Sequence, residues 1–203
     1  MPTFSGFLLA ALLFPLSGEP FGHFRNTYYY LAEESDYASQ TPEVPVRDPQ
    51  GTEIACVARR FKSALDIEGS GKLADGRVVN FAGKIDGEIR YVETVHPHGR
   101  GVGDCALIPF GTVAVDPKTI PLGSLVRIDE TAGMRLPDGT LHTGIWRAED
   151  IGGAIKGDRI DLFVGNRLGG STLDRAHITH LQALTVRIVA LPTQESCVNG
   201  LPR

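Results

Sequence analysis

Beyond residue 20 the apolar runs of this chain are short, and glycine or proline closes most of them. The 203 residues include 24 glycines and 13 prolines. Runs of about four to eight residues between such breakers suit strands rather than long helices. Strands are read at residues 24–31, 54–57, 77–81, 89–94, 112–115, 125–128, 145–149, 161–164 and 184–191. Residues 59–66 read as a helical turn or two, and 171–180 as a short helix capped by Ser171. Pro137-Asp138-Gly139 marks a hairpin turn within 134–143, and residues 32–51 form a long polar loop. The spacing of βαβ units is missing, so the pattern predicts a small closed β-barrel with short helices and inserted loops.

Residues 4–16 are almost wholly apolar, and Ser17-Gly18-Glu19-Pro20 follows. The run is too short to span a bilayer and has the length of a signal-peptide core, although no Lys or Arg precedes it. The reading taken is a leader over residues 1–20 and one domain over 21–203; an ordinary buried segment is the alternative. Export to a periplasm, outer membrane or cell wall follows from the leader. The net charge of -4, with no cluster of Lys and Arg, argues against nucleic-acid binding by counterion release. Cys56, Cys105 and Cys197 match no zinc spacing, and no metal or other cofactor is expected. In an exported protein one disulfide is expected, with Cys56–Cys105 preferred because Cys197 lies in a polar tail; three unpaired cysteines are the alternative. The oligomeric state is not legible.

Chemistry concentrates in Ala148-Glu149-Asp150-Ile151-Gly152-Gly153-Ala154-Ile155-Lys156-Gly157-Asp158-Arg159-Ile160-Asp161. Glycines 152, 153 and 157 permit positive φ and a tight turn that brings Asp150 toward Asp161. Asp116 follows another apolar run. Each aspartate alone reads as a turn residue; together they suit a shared groove. Clustered carboxylates hold a proton more tightly than in water, and a protonated carboxyl is what glycosidic cleavage requires. Glu149 precedes Asp150 and would face the other side of a strand. His96-Pro97-His98 fits a surface turn better than half a metal site. Gly99–Gly103 lacks the context of a dinucleotide loop.

Ala114-Val115-Asp116-Pro117, Ile120-Pro121-Leu122-Gly123 and the run from Ala148 to Asp161 together resemble the 3D domain, a family named for three aspartates. The family includes the C-terminal part of membrane-bound lytic transglycosylase A and small muralytic enzymes of spore-forming bacteria. The resemblance covers residues 111–164, and more loosely 27–30 and 70–71. It implies a mainly β fold, a six-stranded double-psi β-barrel with an acidic groove. It also implies cleavage of the MurNAc-β-1,4-GlcNAc bond of peptidoglycan to a 1,6-anhydro-MurNAc end, so glycan strands are the expected partner. By motif position Asp161 is the catalytic acid, with Asp150 and Asp116 its companions. Gly152 and Gly153 would offer N–H groups to sugar. Lys156 would contact a substrate carboxylate or acetamide, or screen the acids. Tyr30 or Tyr28 would stack on a sugar ring, with barrel packing the commoner use. The chain is too short for the second domain of the large enzymes, so residues 32–51 and 131–143 are the expected second wall. A non-catalytic wall-binding or scaffolding barrel is the rival reading.

Overall fold

A computed structural model describes residues 19–199. The leader reading falls almost entirely outside the described residues. In chain order the elements are β1 (Gly22–Tyr29), β2 (Ala32–Glu33), β3 (Val44–Arg47), β4 (Glu53–Val57), α1 (Arg59–Glu68) and β5 (Ser70–Lys72). Then come β6 (Val78–Ile85), β7 (Glu88–Thr94), β8 (Thr112–Ala114), β9 (Leu125–Ile128), β10 (Ile145–Asp150), β11 (Arg159–Phe163), α2 (Gly170–Arg175) and β12 (Ala183–Ala190). The mainly β expectation holds.

Six strands each pair with two neighbours, so the sheet closes in the order β1-β11-β8-β10-β9-β12. The pairs β1–β11 and β8–β10 are parallel; the other four are antiparallel. Alternation sets which residues face inward. On β12, Leu184, Val186 and Ile188 are buried, and they meet Val126, Ile128, Trp146, Ile160 and Leu162 in one apolar core. Leu162 is fully buried there, and Leu162→Ala would cost about 2–5 kcal/mol against a domain total of about 5–15. The indole N–H of Trp146 donates to Thr131 Oγ1 at 2.9 Å, which removes the penalty of burying it.

A second core forms between β1 and β8 in sequence. It comprises a sheet in the order β2-β5-β6-β7, a β3–β4 pair and α1. Phe61 and Leu65, four residues apart on α1, pack with Ala32, Val46, Val79 and Tyr91. The helix stops at Gly69, whose φ of 80° is left-handed and whose N–H returns to the Leu65 carbonyl at 2.9 Å. This stop leaves Glu68 as the last helical residue. Reading residues 21–203 as one barrel unit does not anticipate this second core, because its strands β2, β3 and β5 are too short or too polar to stand out.

The preferred cysteine pairing is corrected. Cys105 bonds Cys197, and Cys56 is free and exposed on β4. The C-terminal segment is docked rather than loose: a 3-10 turn at Cys197–Asn199 packs on another at Val102–Asp104. The Ser171 cap is also corrected. Ser171 lies inside α2 and donates to the Leu168 carbonyl at 2.8 Å, while Asn166 caps the preceding turn through the Leu168 N–H.

Candidate active site

Ala114 of β8 has two cross-strand partners, Asp150 of β10 on one side and Asp161 of β11 on the other. The two acids therefore stand in one row across the sheet, about 10 Å apart at the backbone. The small Ala114 side chain leaves the space between them open. Thr27 of β1 extends the row as the partner of Asp161.

A bulge places Asp150 in that row. Ala148 pairs with Val113 and Asp150 with Ala114, so Glu149 is the extra residue. Ala148 points into the barrel core; without the extra residue Asp150, two positions on, would point there too. The bulge turns it to the other face, beside Ala114, Tyr29, Leu107 and Phe163. Glu149 is buried instead, 3.4 Å from the Arg147 guanidinium.

The end of β1 serves three carboxyls. Thr27 Oγ1 donates to Asp161 Oδ1 at 2.6 Å, and the Tyr29 hydroxyl donates to Asp150 Oδ2 at 2.7 Å. The Tyr30 N–H donates to Glu68 Oε2 at 3.0 Å. All three acids line one cavity of about 1000 Å³. The barrel supplies one wall of it. The second unit supplies Asp66, Ile67, Glu68, Ser70, Asn80 and Phe81, and the loop from Arg100 to Asp104 closes an end. That loop is held by Asn80, which accepts from the Arg100 N–H and donates to the Arg100 carbonyl, both at 2.8 Å. A β-carbon on Gly101 would sit 2.3 Å from the Glu149 carbonyl oxygen, so only glycine lets the loop approach β10 this closely.

Burial raises all three carboxyls. Asp150 and Asp161 are each pushed up to about 6, and Glu68 to about 7. The hydrogen bonds then distinguish the first two. Asp150 accepts from the Tyr29 hydroxyl at 2.7 Å and the Ile151 N–H at 2.8 Å, whereas among the described residues Asp161 accepts from Thr27 alone. Donors favour the anion, so Asp150 has the larger hydrogen-bond supply, while the charges of Arg159 and His180 also draw Asp161 downward. The Tyr29 hydroxyl stays protonated, because burial and the Asp150 charge hold its pKa well above the usual tyrosine value.

Asp116 stands apart from the cavity lining. It is buried, and its oxygens accept from the Gly157 N–H at 2.9 Å and the Lys118 N–H at 3.1 Å. Those two bonds, with Lys156 and Lys118 nearby, hold it below the usual carboxylate range. It is an anion that ties the glycine loop to the turn after β8. Of the loop glycines, Gly157 has positive φ, at 61°, and Gly152 and Gly153 do not. Gly152, Gly153 and Lys156 do line the cavity; Lys156 Nζ lies 3.3 Å from the Gly152 carbonyl. Tyr30 packs its ring against the barrel core, and Tyr29 takes the place at the site. Residues 32–51 and 131–143 do not build the second wall: Ala32 and Val46 lie in the second core, and Met134 packs on the barrel. Glu68 and Phe81 also line the cavity without being singled out by the sequence; one lies just past the helical turns read at 59–66 and the other ends the strand read at 77–81. Cys105, Cys197 and Glu149 place ligand-type atoms within 4.8 Å of one another, but the disulfide consumes both sulfurs.

Residues 111–171 match the 3D domain family. The chain carries a 3D domain. It spans β8 to β11, and so holds Asp116, Asp150 and Asp161. Two solved structures share the wider fold. MltA from E. coli, crystallised with bound chitohexaose, is 16% identical, with a TM-score of 0.58 over 82% of this chain and 71% of that one. A membrane-bound lytic murein transglycosylase from Agrobacterium tumefaciens is 15% identical, with a TM-score of 0.60 over 85% of this chain and 75% of that one. No curated protein matches the sequence.

Proposed function

We propose that this protein is a peptidoglycan lytic transglycosylase, cleaving the MurNAc-β-1,4-GlcNAc bond and leaving a 1,6-anhydro-MurNAc end. The observation that carries the reading is the row Asp150–Ala114–Asp161, two raised carboxyls with unequal hydrogen-bond supply in one large cavity. The six-stranded ring beneath them is read as a double-psi β-barrel. The chitohexaose bound by the similar E. coli protein supports a glycan ligand.

In this reading Asp161, protonated, gives its proton to the leaving glycosidic oxygen. Positive charge develops at C1, and the Asp150 carboxylate stabilises it. Asp161, now basic, takes the proton of the C6 hydroxyl as that oxygen closes onto C1. The C1–O4 bond breaks, the C1–O6 bond forms, and the proton returns to Asp161 for the next cycle. No water is consumed. Near the raised pKa values both partners are populated, which places the working range around pH 6. Asp116 acts by position, fixing the loop that presents Gly152, Gly153 and Lys156 to the glycan.

Phe81, half exposed on the cavity wall, offers the stacking face that the ring of Tyr30 does not. The disulfide and the apolar run near the N-terminus support export to the periplasm, outer membrane or cell wall. No helix among the described residues is long and apolar enough to cross a membrane.

Digestion of purified sacculi tests the proposal. Wild-type protein is expected to release anhydro-muropeptides and Asp161→Asn protein none. Tight wall binding without release by either protein would instead establish the non-catalytic barrel.

A further inference from the structure

Glu68 does not belong to the matched segment and takes no part in the steps above, yet it reaches the same cavity from the helical unit. Its Oε2 is engaged by the Tyr30 N–H at 3.0 Å. No other hydrogen bond to its carboxyl is made among the described residues, so Oε1 is left to the cavity. An oxygen already accepting an N–H is the poorer place for a proton. When Glu68 is neutral, its O–H is therefore Oε1–H, directed at whatever fills the cavity.

We infer that Glu68 is a substrate-binding group of the cleft, donating a hydrogen bond from Oε1–H to an acetamide or hydroxyl oxygen of the glycan. The inference rests on the glycan reading above and adds a residue from outside the 3D segment. Two features keep Glu68 neutral near pH 6. Burial comes first, the facing Asp161 adds to it, and together they raise it to about 7 even against the Tyr30 bond. The charged and titratable groups around it are Tyr29 of β1 and Tyr30 just after it, Asp150 of β10, Asp161 of β11, Asp66 of α1, Lys156 of the glycine loop, and Arg100 and Asp104 of the closing loop. Asp66 is paired to Lys62 at 2.6 Å, and Arg100 to Asp104 at 3.3 Å. Lys156 Nζ bonds the Gly152 carbonyl at 3.3 Å, and no cation is among the groups that lower Glu68.

The test is chitohexaose binding by calorimetry, with wild-type, Glu68→Gln and Glu68→Ala proteins from about pH 5.5 to about pH 8.5. Glutamine keeps an oxygen for the Tyr30 N–H and a permanent donor for the ligand, so the ratio of its affinity to wild type cancels the titration of the other acids. That ratio is expected near one at the acid end. It should rise to about tenfold at the alkaline end, where wild-type Glu68 ionises. Glu68→Ala should bind about tenfold more weakly than wild type at the acid end, with a single cooperative melt well above the assay temperature certifying its fold. A Gln-to-wild-type ratio that is flat with pH, or an alanine variant binding as wild type does, overturns the role of Glu68 and leaves the glycan reading standing. Wild-type protein binding no glycan at any pH overturns both.

Discussion

Replacing Asp161 by asparagine should make the protein more stable at alkaline pH while abolishing its activity. In the row beside Ala114, burial lifts Asp161 from its ordinary 3.8 to about 6. A carboxyl raised in the folded state binds more protons there than in the unfolded chain between those two values. Stability is therefore full below about pH 4 and lost as pH rises through about 6. At about pH 8 the wild-type protein carries the whole deficit. A shift of about two units at 1.36 kcal/mol each gives roughly 3 kcal/mol. Asparagine has no charge to desolvate, and its amide oxygen still accepts the Thr27 hydroxyl, so it escapes that deficit. For a fold of this size 3 kcal/mol corresponds to roughly 6–12 °C in melting temperature. Melts of both proteins at about pH 8 and about pH 4 provide the assay. The variant should melt higher at the alkaline pH, and the gap should close at the acid one. A variant that melts lower at both, or a gap independent of pH, would refute the claim that burial raises this carboxyl.

Three further outcomes follow from the same geometry. Tyr29→Phe removes one of two donors to Asp150, a charged-acceptor bond worth about 1.5–3 kcal/mol, so the acid limb of the pH–rate profile should move up by about one to two units; an unmoved limb in a folded variant counts against Asp150 as the working anion. Phe81→Ala should raise KM about tenfold and leave kcat unchanged, as measured on soluble glycan strands, because the ring stacks equally in ground and transition states; a fall in kcat alone would contradict this. Gly101→Ala forces its β-carbon against the Glu149 carbonyl, so it should lower stability by about 2 kcal/mol or more and displace the cavity-closing loop; a wild-type melt and KM would show that the loop is not held as described.

Alternation and turn chemistry made most barrel strands readable, since Leu184, Val186 and Ile188 or Val126 and Ile128 mark one buried face by themselves. The 3D segment was readable because its aspartates and glycines lie within one stretch. What could not be read depended on contacts between distant parts. The bulge at Glu149 is a backbone event without a sequence marker, and it alone decides that Asp150 faces Asp161 rather than the core. Three tyrosines in a row offered no means to tell the one that reaches an acid, Tyr29, from the one that packs, Tyr30. Cys197 looked like part of a loose tail because the turn that docks it, at Val102–Asp104, has no apolar signature. Glu68 lies just past the helical turns legible at residues 59–66, yet the end of α1 places it in the cavity lining.

In the proposed reaction one acid, Asp161, breaks the glycosidic bond and the substrate's own C6 hydroxyl closes the ring. Digestion of glycan strands in water enriched in heavy oxygen tests it most directly. Mass spectrometry of the new MurNAc ends should find the anhydro form with no heavy oxygen at C1, and none of it with the Asp161→Asn protein. Heavy oxygen at C1 would make water the acceptor and the protein a hydrolase, and anhydro ends released undiminished by the variant would remove Asp161 from the chemistry.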